Sequence, residues 1–146
     1  MMLADEAATL AAGRTLASHL RVGDVVALSG DLGAGKTSFA RGVLTGLGFT
    51  GEVPSPSFAL VIPYDRPDVS LPVWHVDLYR LDTPDDSEPL ALHDALDDAA
   101  LLIEWPERLG ARLWPEALRL RFDREGEGRR LTAEAPPSWE ARCPFR

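Results

Sequence analysis

The chain has 146 residues, of which 45% are hydrophobic, so its length and composition suit one packed domain. Its formal net charge of -8 argues against a surface that holds nucleic acid unaided, because phosphate binding draws mainly on clustered lysine and arginine. Any nucleic acid is expected to be contacted only through partners. The single cysteine, Cys143, excludes an intrachain disulfide, and no apolar run approaches the roughly 18 residues that span a bilayer, so we expect a cytoplasmic protein without a membrane partner.

The first third of the chain predicts a helix, a strand, a glycine-rich loop and a second helix, in that order. Apolar residues recur at helical spacing over residues 5–20, and the acidic residues at the start of this segment suit the positive end of a helix dipole. Residues 25–28 form a short apolar run that fits a strand buried on both faces. After the glycine-rich loop, residues 38–44 place their apolar side chains on one helical face.

The rest of the chain alternates apolar runs with turn-forming segments. Three further strands are predicted, at residues 58–62, 73–79 and 99–103. Three prolines predict a loop over residues 63–72, and residues 88–96 predict a helix with an acidic surface. Apolar and polar residues alternate over residues 118–122 and 130–134 on either side of a glycine-containing turn, which predicts an antiparallel hairpin with one wet face.

Strands that alternate with helices favour the α/β class. We therefore expect a single domain over residues 1–135, with a central, mainly parallel sheet that is flanked by helices and carries a C-terminal antiparallel hairpin. The proline-rich residues 136–146 are expected to form an irregular tail.

A phosphate-binding motif carries the strongest functional signal. Gly30, Gly35, Lys36 and Thr37 match the pattern G-x-x-x-x-G-K-S/T between the first strand and the second helix. The glycines let backbone N–H groups point at phosphate oxygens, the lysine would bridge the β- and γ-phosphates, and the threonine hydroxyl would bind Mg²⁺. The chain has 15 lysine and arginine residues, and all of them except Lys36 are arginines. Since a compact ammonium fits inside a phosphate-wrapping loop better than a planar guanidinium, Lys36 is predicted to hold the triphosphate and to be catalytic.

Two carboxylates follow buried strands, as a P-loop enzyme requires. Asp77 and Glu104 are the candidates for holding Mg²⁺ or for orienting the attacking water, and their spacing leaves the two roles unassigned. His75 is interpreted as a core residue or a hydrogen-bond partner rather than a ligand. Trp105 either forms a wall of the nucleotide site or covers the core.

The segment between the second helix and the second strand contains closely spaced prolines and two hydroxyl groups, at residues 54–58. Such a stiffened, hydroxyl-bearing segment suits a loop that senses a γ-phosphate, as switch loops do. A plain connecting loop is the alternative.

Taken together, these motifs resemble the TsaE family, small bacterial ATPases required for tRNA threonylcarbamoyladenosine biosynthesis. The matching stretches follow the family's order and lie at residues 30–37, 55–58, 75–80 and 103–107. The resemblance implies that ATP is bound by the P-loop, that Thr37 and Glu104 hold Mg²⁺ and that Asp77 acts in hydrolysis. The residues expected to contact the nucleotide are Glu6, Thr9, Asp31, Leu32, Gly33, Ala34, Gly35, Lys36, Thr37, Ser38, Trp105, Glu107 and Arg129.

The resemblance also implies a working context. It suggests an ATPase that joins a complex with the partner proteins TsaB and TsaD, which would hold the tRNA, and whose hydrolysis depends on those partners. The alternative from the residues alone is a small-molecule P-loop kinase, because compact P-loop enzymes phosphorylate hydroxyl groups with the same loop. A GTPase is disfavoured, since a guanine-reading Asn-Lys-x-Asp segment needs a second lysine.

Overall fold

The computed structural model describes residues 1–31, 33–56 and 60–145, which form one mixed sheet with helices on both faces. The strands are β1 (Met2–Leu3), β2 (Val25–Ser29), β3 (Val61–Tyr64), β4 (Val73–Asp77), β5 (Ala100–Glu104), β6 (Leu118–Glu125) and β7 (Gly128–Glu134). The α-helices are α1 (Glu6–Ala17), α2 (Lys36–Gly46) and α3 (Leu92–Ala95), and two 3₁₀ helices span Pro84–Leu90 and Pro106–Arg112. In the described part of the chain, no helix is long and apolar enough to cross a bilayer.

The centre of the sheet is parallel and its margins are antiparallel. The strand order is β1-β7-β6-β2-β5-β4-β3, and the four neighbours β6, β2, β5 and β4 run in the same direction. At one margin β7 pairs antiparallel with β6 and with β1, and at the other margin β3 pairs antiparallel with β4. The predicted α/β class, the mainly parallel centre and the C-terminal hairpin are confirmed.

Two apolar clusters cover the two faces of the sheet. One face packs against α1, α2 and the C-terminal segment, and the other packs against α3 and the 3₁₀ segments. The central strand β5 is buried along its whole length, as its continuous apolar run predicts. Helix α1 lies directly on α2 because glycines leave room for backbone contact: a Cβ atom on Gly13 would lie 2.2 Å from the Phe39 carbonyl oxygen, and one on Gly42 would lie 2.2 Å from that of Leu10.

The helix predicted over residues 88–96 is wrong. A 3₁₀ helix, Pro84–Leu90, is followed by Ala91 in the left-handed conformation with φ of 54°, and only the four residues of α3 are α-helical. Pro89 has no N–H to donate and its ring crowds the preceding turn, so the acidic segment cannot continue as one α-helix.

The second predicted strand is displaced along the chain. It was expected over residues 58–62, with a loop from Pro63, whereas β3 spans Val61–Tyr64 and includes that proline. Pro63 is tolerated because β3 is an edge strand that pairs with β4 alone. Phe58 and Ala59, the start of the predicted strand, lie outside the described residues. Strand β1 was not predicted, because two residues carry no periodicity.

The C-terminal segment, residues 136–145, has neither helix nor strand, but it is anchored in the core. Trp139 and Phe145 are buried in the cluster that contains α1 and α2, and the Phe145 ring lies 6.0 Å from that of Phe39. Arg142 binds both carboxylate oxygens of Asp24 at 2.7 Å. This segment therefore supports α2, the helix that follows the glycine-rich loop.

Candidate nucleotide site

The site lies where the carboxyl ends of three parallel strands meet. Asp77 ends β4 and Glu104 ends β5, and the two residues are direct neighbours in register. Leu28 of β2 lies opposite Glu104 on its other side, and the glycine-rich loop begins two residues later at Gly30. Open α/β sheets bind ligands at this edge, because the loops there leave the sheet and side chains converge.

The conformation of the glycine-rich loop requires its glycines. Gly30, Gly33 and Gly35 have φ values of 137°, 74° and 109°, a region that residues with a Cβ rarely adopt. A Cβ atom on Gly30 would also lie 2.3 Å from the carbonyl oxygen of Phe122. Gly35 caps α2 without a side-chain hydrogen bond, so the first N–H groups of this helix are directed at the space that an anion would fill.

Lys36 is buried at the base of the site. Its Nζ donates a hydrogen bond to the carbonyl oxygen of Gly30 and lies 3.7 Å from the centre of the Trp105 ring. Burial lowers the pKa of Lys36, while the nearby carboxylates, led by Glu104, act in the opposite direction. The lysine is thus a desolvated cation, and an anion that enters the site would compensate its charge.

Glu104 lies at the centre of a buried hydrogen-bond network. The hydroxyl oxygen of Thr37 is 3.2 Å from each carboxylate oxygen of Glu104, and His75 Nε2 is 2.6 Å from Glu104 Oε2. His75 and Glu104 are both buried, so the interpretation of His75 as a hydrogen-bond partner is confirmed. Thr37 and Glu104, the two residues expected to hold Mg²⁺, are thus in hydrogen-bond contact.

Asp77 faces the same space from the neighbouring strand. It is buried, and its Oδ1 accepts a hydrogen bond of 2.9 Å from the backbone N–H of Tyr79. A hydrogen bond from the backbone fixes the orientation of the carboxylate. Asp77 is therefore placed to act beside Glu104.

A cavity of about 260 Å³ joins these groups. The predicted site residues that line it are Glu6, Thr9, Gly33, Gly35, Lys36, Thr37, Ser38, Asp77, Glu104, Trp105 and Arg129. Trp105 is thus a wall of the cavity, one of its two predicted roles. Its backbone has the left-handed φ of 59°, a strained conformation for a side chain of this size.

Three predicted nucleotide-contacting residues do not line the cavity. Ala34 is a buried residue of the loop itself. Asp31 and Glu107 are exposed, although both carboxylates are close enough to oppose the lowering of the Lys36 pKa by burial. Leu32 lies outside the described residues, as do Ser57 and Phe58 of the switch-like segment. Ser55 of that segment does line the cavity.

The sequence did not single out three further residues of the lining, Asp5, Glu127 and Gly128. Asp5 caps α1 by accepting a hydrogen bond of 2.8 Å from the N–H of Ala8, so an N-cap signal was present. Glu127 lies in the β6–β7 turn and Gly128 begins β7, and the pairing of β6 with β2 brings this turn to the loop.

Arg129 joins this turn to the glycine-rich loop. Its Nη2 donates to the carbonyl oxygen of Gly33 at 2.9 Å and its Nη1 donates to that of Gly128 at 2.8 Å. Within the described part of the chain, its buried Nε has no hydrogen-bond partner. On the opposite wall, Glu6 of α1 accepts hydrogen bonds of 3.4 Å from Ser38 and Arg41 of α2.

The charge of the lining is acidic. Among the described residues of the lining, the positively charged side chains are Lys36 and Arg129 alone. The acidic side chains outnumber them and are Asp5, Glu6, Asp77, Glu104 and Glu127. A triphosphate would be repelled here unless a divalent cation accompanied it. The hydroxyl of Thr37 and the neighbouring carboxylates are the hard oxygen donors that Mg²⁺ prefers. No cluster of three or more histidine, cysteine or acidic side chains suited to a metal occurs in the described ranges.

Comparison with known proteins decides the family. The sequence profile of the family described as threonylcarbamoyl adenosine biosynthesis protein TsaE matches residues 3–132. The chain therefore belongs to the TsaE family. This confirms the resemblance drawn from the motifs.

Individual TsaE proteins agree over most of the chain. The protein named tRNA threonylcarbamoyladenosine biosynthesis protein TsaE from Streptomyces coelicolor is 45% identical over 113 residues, which cover 77% of this chain and 76% of that protein. The Bacillus subtilis protein of the same name is 38% identical over 123 residues, covering 84% and 75%. The crystal structure of Bacillus subtilis YdiB superposes with a TM-score of 0.82 at 30% identity and covers 97% of this chain and 88% of that one.

Proposed function

We propose that this chain is a Mg²⁺-dependent ATPase that supports tRNA threonylcarbamoyladenosine biosynthesis. Membership in the TsaE family ties it to that pathway. The observation that carries the ATPase proposal is the convergence of Lys36, Thr37, Asp77 and Glu104 on one cavity at the end of the parallel strands. Phosphoryl transfer needs this set: a phosphate-binding lysine, a metal-binding hydroxyl and carboxylates for the metal and the water.

Each residue has a role that its position supports. The N–H groups of the glycine-rich loop and Lys36 would hold the β- and γ-phosphates, and the buried ammonium would exchange its bond to the Gly30 carbonyl for phosphate oxygens. Thr37 and Glu104 would hold Mg²⁺, which when bound supplies charge neutralisation at the phosphate oxygens. Asp77, anchored by the Tyr79 N–H, would orient the attacking water.

The division of roles between the carboxylates rests on contact with Thr37. Its hydroxyl lies equally close to both oxygens of Glu104, so that carboxylate shares a ligand position with the P-loop threonine. Asp77 reaches the cavity from the next strand and is held by a backbone donor instead. We therefore assign the metal to Glu104 and the water to Asp77.

Partner proteins complete the proposed function. The chain is acidic overall and the charged residues that line its site are mostly carboxylates, so the tRNA would be held by TsaB-like and TsaD-like partners rather than by this chain. ATP binding and hydrolysis here would change the conformation of the complex, and the partners would accelerate the hydrolysis.

The test is phosphate release from ATP by the purified chain, alone and with TsaB and TsaD from the same organism, in Mg²⁺ and in EDTA. We expect slow release alone, stimulation by both partners together and no release in EDTA. Lys36→Met is the matched inactive control, because methionine keeps the length and the burial of the side chain. Rapid hydrolysis that the partners do not alter would contradict the coupling.

The same purified protein also distinguishes an ATPase from a small-molecule kinase. Such an enzyme would form ADP with a metabolite acceptor and without free phosphate. A kinase would need arginines for a second phosphate-binding segment, and the scattered Arg66 and Arg108, which leave that alternative open, have other contacts. Arg66 donates to the Ser70 carbonyl oxygen at 3.2 Å, and Arg108 lies 5.7 Å from the Tyr79 ring. Acceptor-dependent ADP formation would favour the kinase.

A further inference from the structure

A fully buried histidine supports the proposed metal ligand from behind. His75 lies in the middle of β4, between Ile62 of β3 and Leu102 of β5 in the sheet register. Burying an imidazole among apolar side chains is unfavourable unless it makes a hydrogen bond. Its only hydrogen bond among the described residues is the one of 2.6 Å between Nε2 and Glu104 Oε2. The hydrogen bond to Glu104 is therefore the interaction that offsets the cost of burying His75 in the sheet.

The other ring nitrogen defines the tautomer. His75 Nδ1 is buried and has no hydrogen-bond partner in the part of the chain that the structure describes. A hydrogen on Nδ1 would be a buried donor without an acceptor, which is more costly than an unoccupied lone pair. We therefore assign the ring hydrogen to Nε2, so that His75 donates to Glu104 and accepts nothing from it.

We propose that His75 is a positioning residue that fixes the carboxylate of Glu104 for Mg²⁺, through the hydrogen bond that its Nε2–H donates. The inference rests on the proposed ATPase function. Glutamate has three rotatable side-chain bonds, and the described contacts of its carboxylate are with His75 and Thr37. When the Thr37 hydroxyl turns its lone pairs to a metal, the histidine is the donor that keeps the Glu104 oxygens in place.

Two amide variants distinguish the two ring nitrogens. The side-chain nitrogen of glutamine reaches the position of Nε2, whereas that of asparagine stays near the position of Nδ1. His75→Gln should therefore keep the hydrogen bond to Glu104, and His75→Asn should lose it while keeping a polar group in the same strand. Val76→Ala is the control, since Val76 is the next residue of β4, is equally buried and belongs to the apolar cluster on the other face.

The measured quantity is the Mg²⁺ concentration that gives half-maximal binding of a fluorescent ATP analogue. Loss of the group that orients a metal ligand weakens metal binding by roughly 10–100-fold, and we expect about 10-fold for His75→Asn and less than about 3-fold for His75→Gln. Binding of the analogue in EDTA should be the same for both variants as for the wild type, and Val76→Ala should show the wild-type Mg²⁺ dependence. A wild-type Mg²⁺ dependence in His75→Asn, or equal loss in both amide variants, would overturn the inference.

A second variant tests that His75 acts through Glu104. In the Glu104→Gln background, adding His75→Asn should cause little further change in Mg²⁺ dependence, because the group that it positions is already altered. Independent, multiplying effects of the two substitutions would contradict the inference.

The nitrogen assignment is measurable in the nucleotide-free wild type. The chain has three histidines, and the ¹⁵N couplings of their ring protons report which nitrogen carries hydrogen. We expect the Nε2–H tautomer for His75, and we expect Glu104→Gln to shift the ring signals of His75 but not those of His19 or His93. An Nδ1–H tautomer would refute the donor role even if His75→Asn fails to fold. Failure of the ATPase proposal is recognised separately, because the wild type itself would then show no Mg²⁺-dependent binding.

Discussion

The ammonium of Lys36 lies 3.7 Å from the centre of the Trp105 ring, inside the cavity rather than in solvent. Trp105 is held there by a left-handed backbone and by packing of its ring 4.9 Å from that of Tyr79. A cation over an indole face is stabilised by the ring's quadrupole, and more so where water is excluded. Trp105 therefore stabilises the positive charge of Lys36, and holds it over the glycine-rich loop, when no phosphate is bound.

The first prediction concerns this contact. Trp105→Leu should weaken ATP binding by about 10-fold, because a desolvated cation–π contact contributes roughly 1–2 kcal/mol to holding the lysine in place. Trp105→Phe keeps an aromatic face and should lose less. Titration of both variants with ATP in Mg²⁺ measures the difference, and equal affinities for leucine and phenylalanine would show that the aromatic face contributes nothing.

The second prediction concerns Lys36 itself. Lys36→Met should lower triphosphate affinity by at least about 100-fold, since a charge-assisted contact with phosphate in a partly dehydrated site contributes roughly 3 kcal/mol. Lys36→Arg should not restore it, because the guanidinium is wider and the space beneath Trp105 is already filled. Melting temperatures of both variants serve as the control for folding. Normal ATP affinity in the methionine variant would remove the lysine from the site's chemistry.

The third prediction concerns the pH dependence of ATP affinity and of stability. Burial lowers the pKa of Lys36 in the nucleotide-free protein, and the sign of both dependences follows from this shift. Triphosphate binding needs the ammonium, so affinity should fall as pH rises through this lowered pKa, before an ordinary lysine would titrate. The same shift acts oppositely on folding: the unfolded chain binds the proton more tightly, so the lysine's contribution to stability rises with pH in that window. ATP affinity and stability of the wild type, compared with Lys36→Met at alkaline pH, measure both signs. A parallel decline of the two in the wild type alone would contradict the assignment.

The sequence predicted those parts of the site whose signal is local. The glycine-rich loop is one continuous motif, and Asp77 and Glu104 each end an apolar run, so strand and carboxylate were recognisable together. Glu127 was not recognisable, because it reaches the cavity only through the pairing of β6 with β2, a contact between distant segments. The prediction of an acidic helix over residues 88–96 was wrong for a different reason. Pro89 and the left-handed Ala91 interrupt a segment whose composition alone suits a helix.

The fourth prediction concerns the packing of α1 against α2, which brings Glu6 and Thr9 to the cavity. Gly42→Ala should destabilise the fold by about 2–3 kcal/mol, because its Cβ would lie 2.2 Å from the backbone oxygen of Leu10, which cannot move without shifting the helix. Gly48→Ala is the control: its Cβ would meet open space, so only its left-handed backbone, worth about 1 kcal/mol, opposes the change. Urea unfolding of both variants compares the two costs. Equal losses would mean that the helices separate easily.

The fifth prediction concerns the C-terminal segment, which reaches back to the start of β2 through Arg142. This arginine binds both oxygens of Asp24 at 2.7 Å, donates to the carbonyl oxygen of His19 at 2.8 Å and lies 3.7 Å from the centre of the Trp139 ring. The hydrogen bonds to Asp24 raise the pKa of Arg142, so this arginine stays charged throughout the accessible pH range. Because both side chains are largely buried, the bidentate pair should have a coupling energy of about 2 kcal/mol, well above that of an exposed ion pair.

A double-mutant cycle of Asp24→Asn and Arg142→Ala, followed by urea unfolding, isolates that coupling from the bond to His19 and from the stacking on Trp139. Arg142→Lys keeps the charge but loses the fork geometry, and it should recover less than half of the loss. A coupling below about 0.5 kcal/mol would place the anchor of the C-terminal segment in the apolar contacts of Trp139 and Phe145 instead. Such an outcome would also predict that Trp139→Ala alone destabilises the domain more than Arg142→Ala, because a large buried ring would then carry the whole attachment.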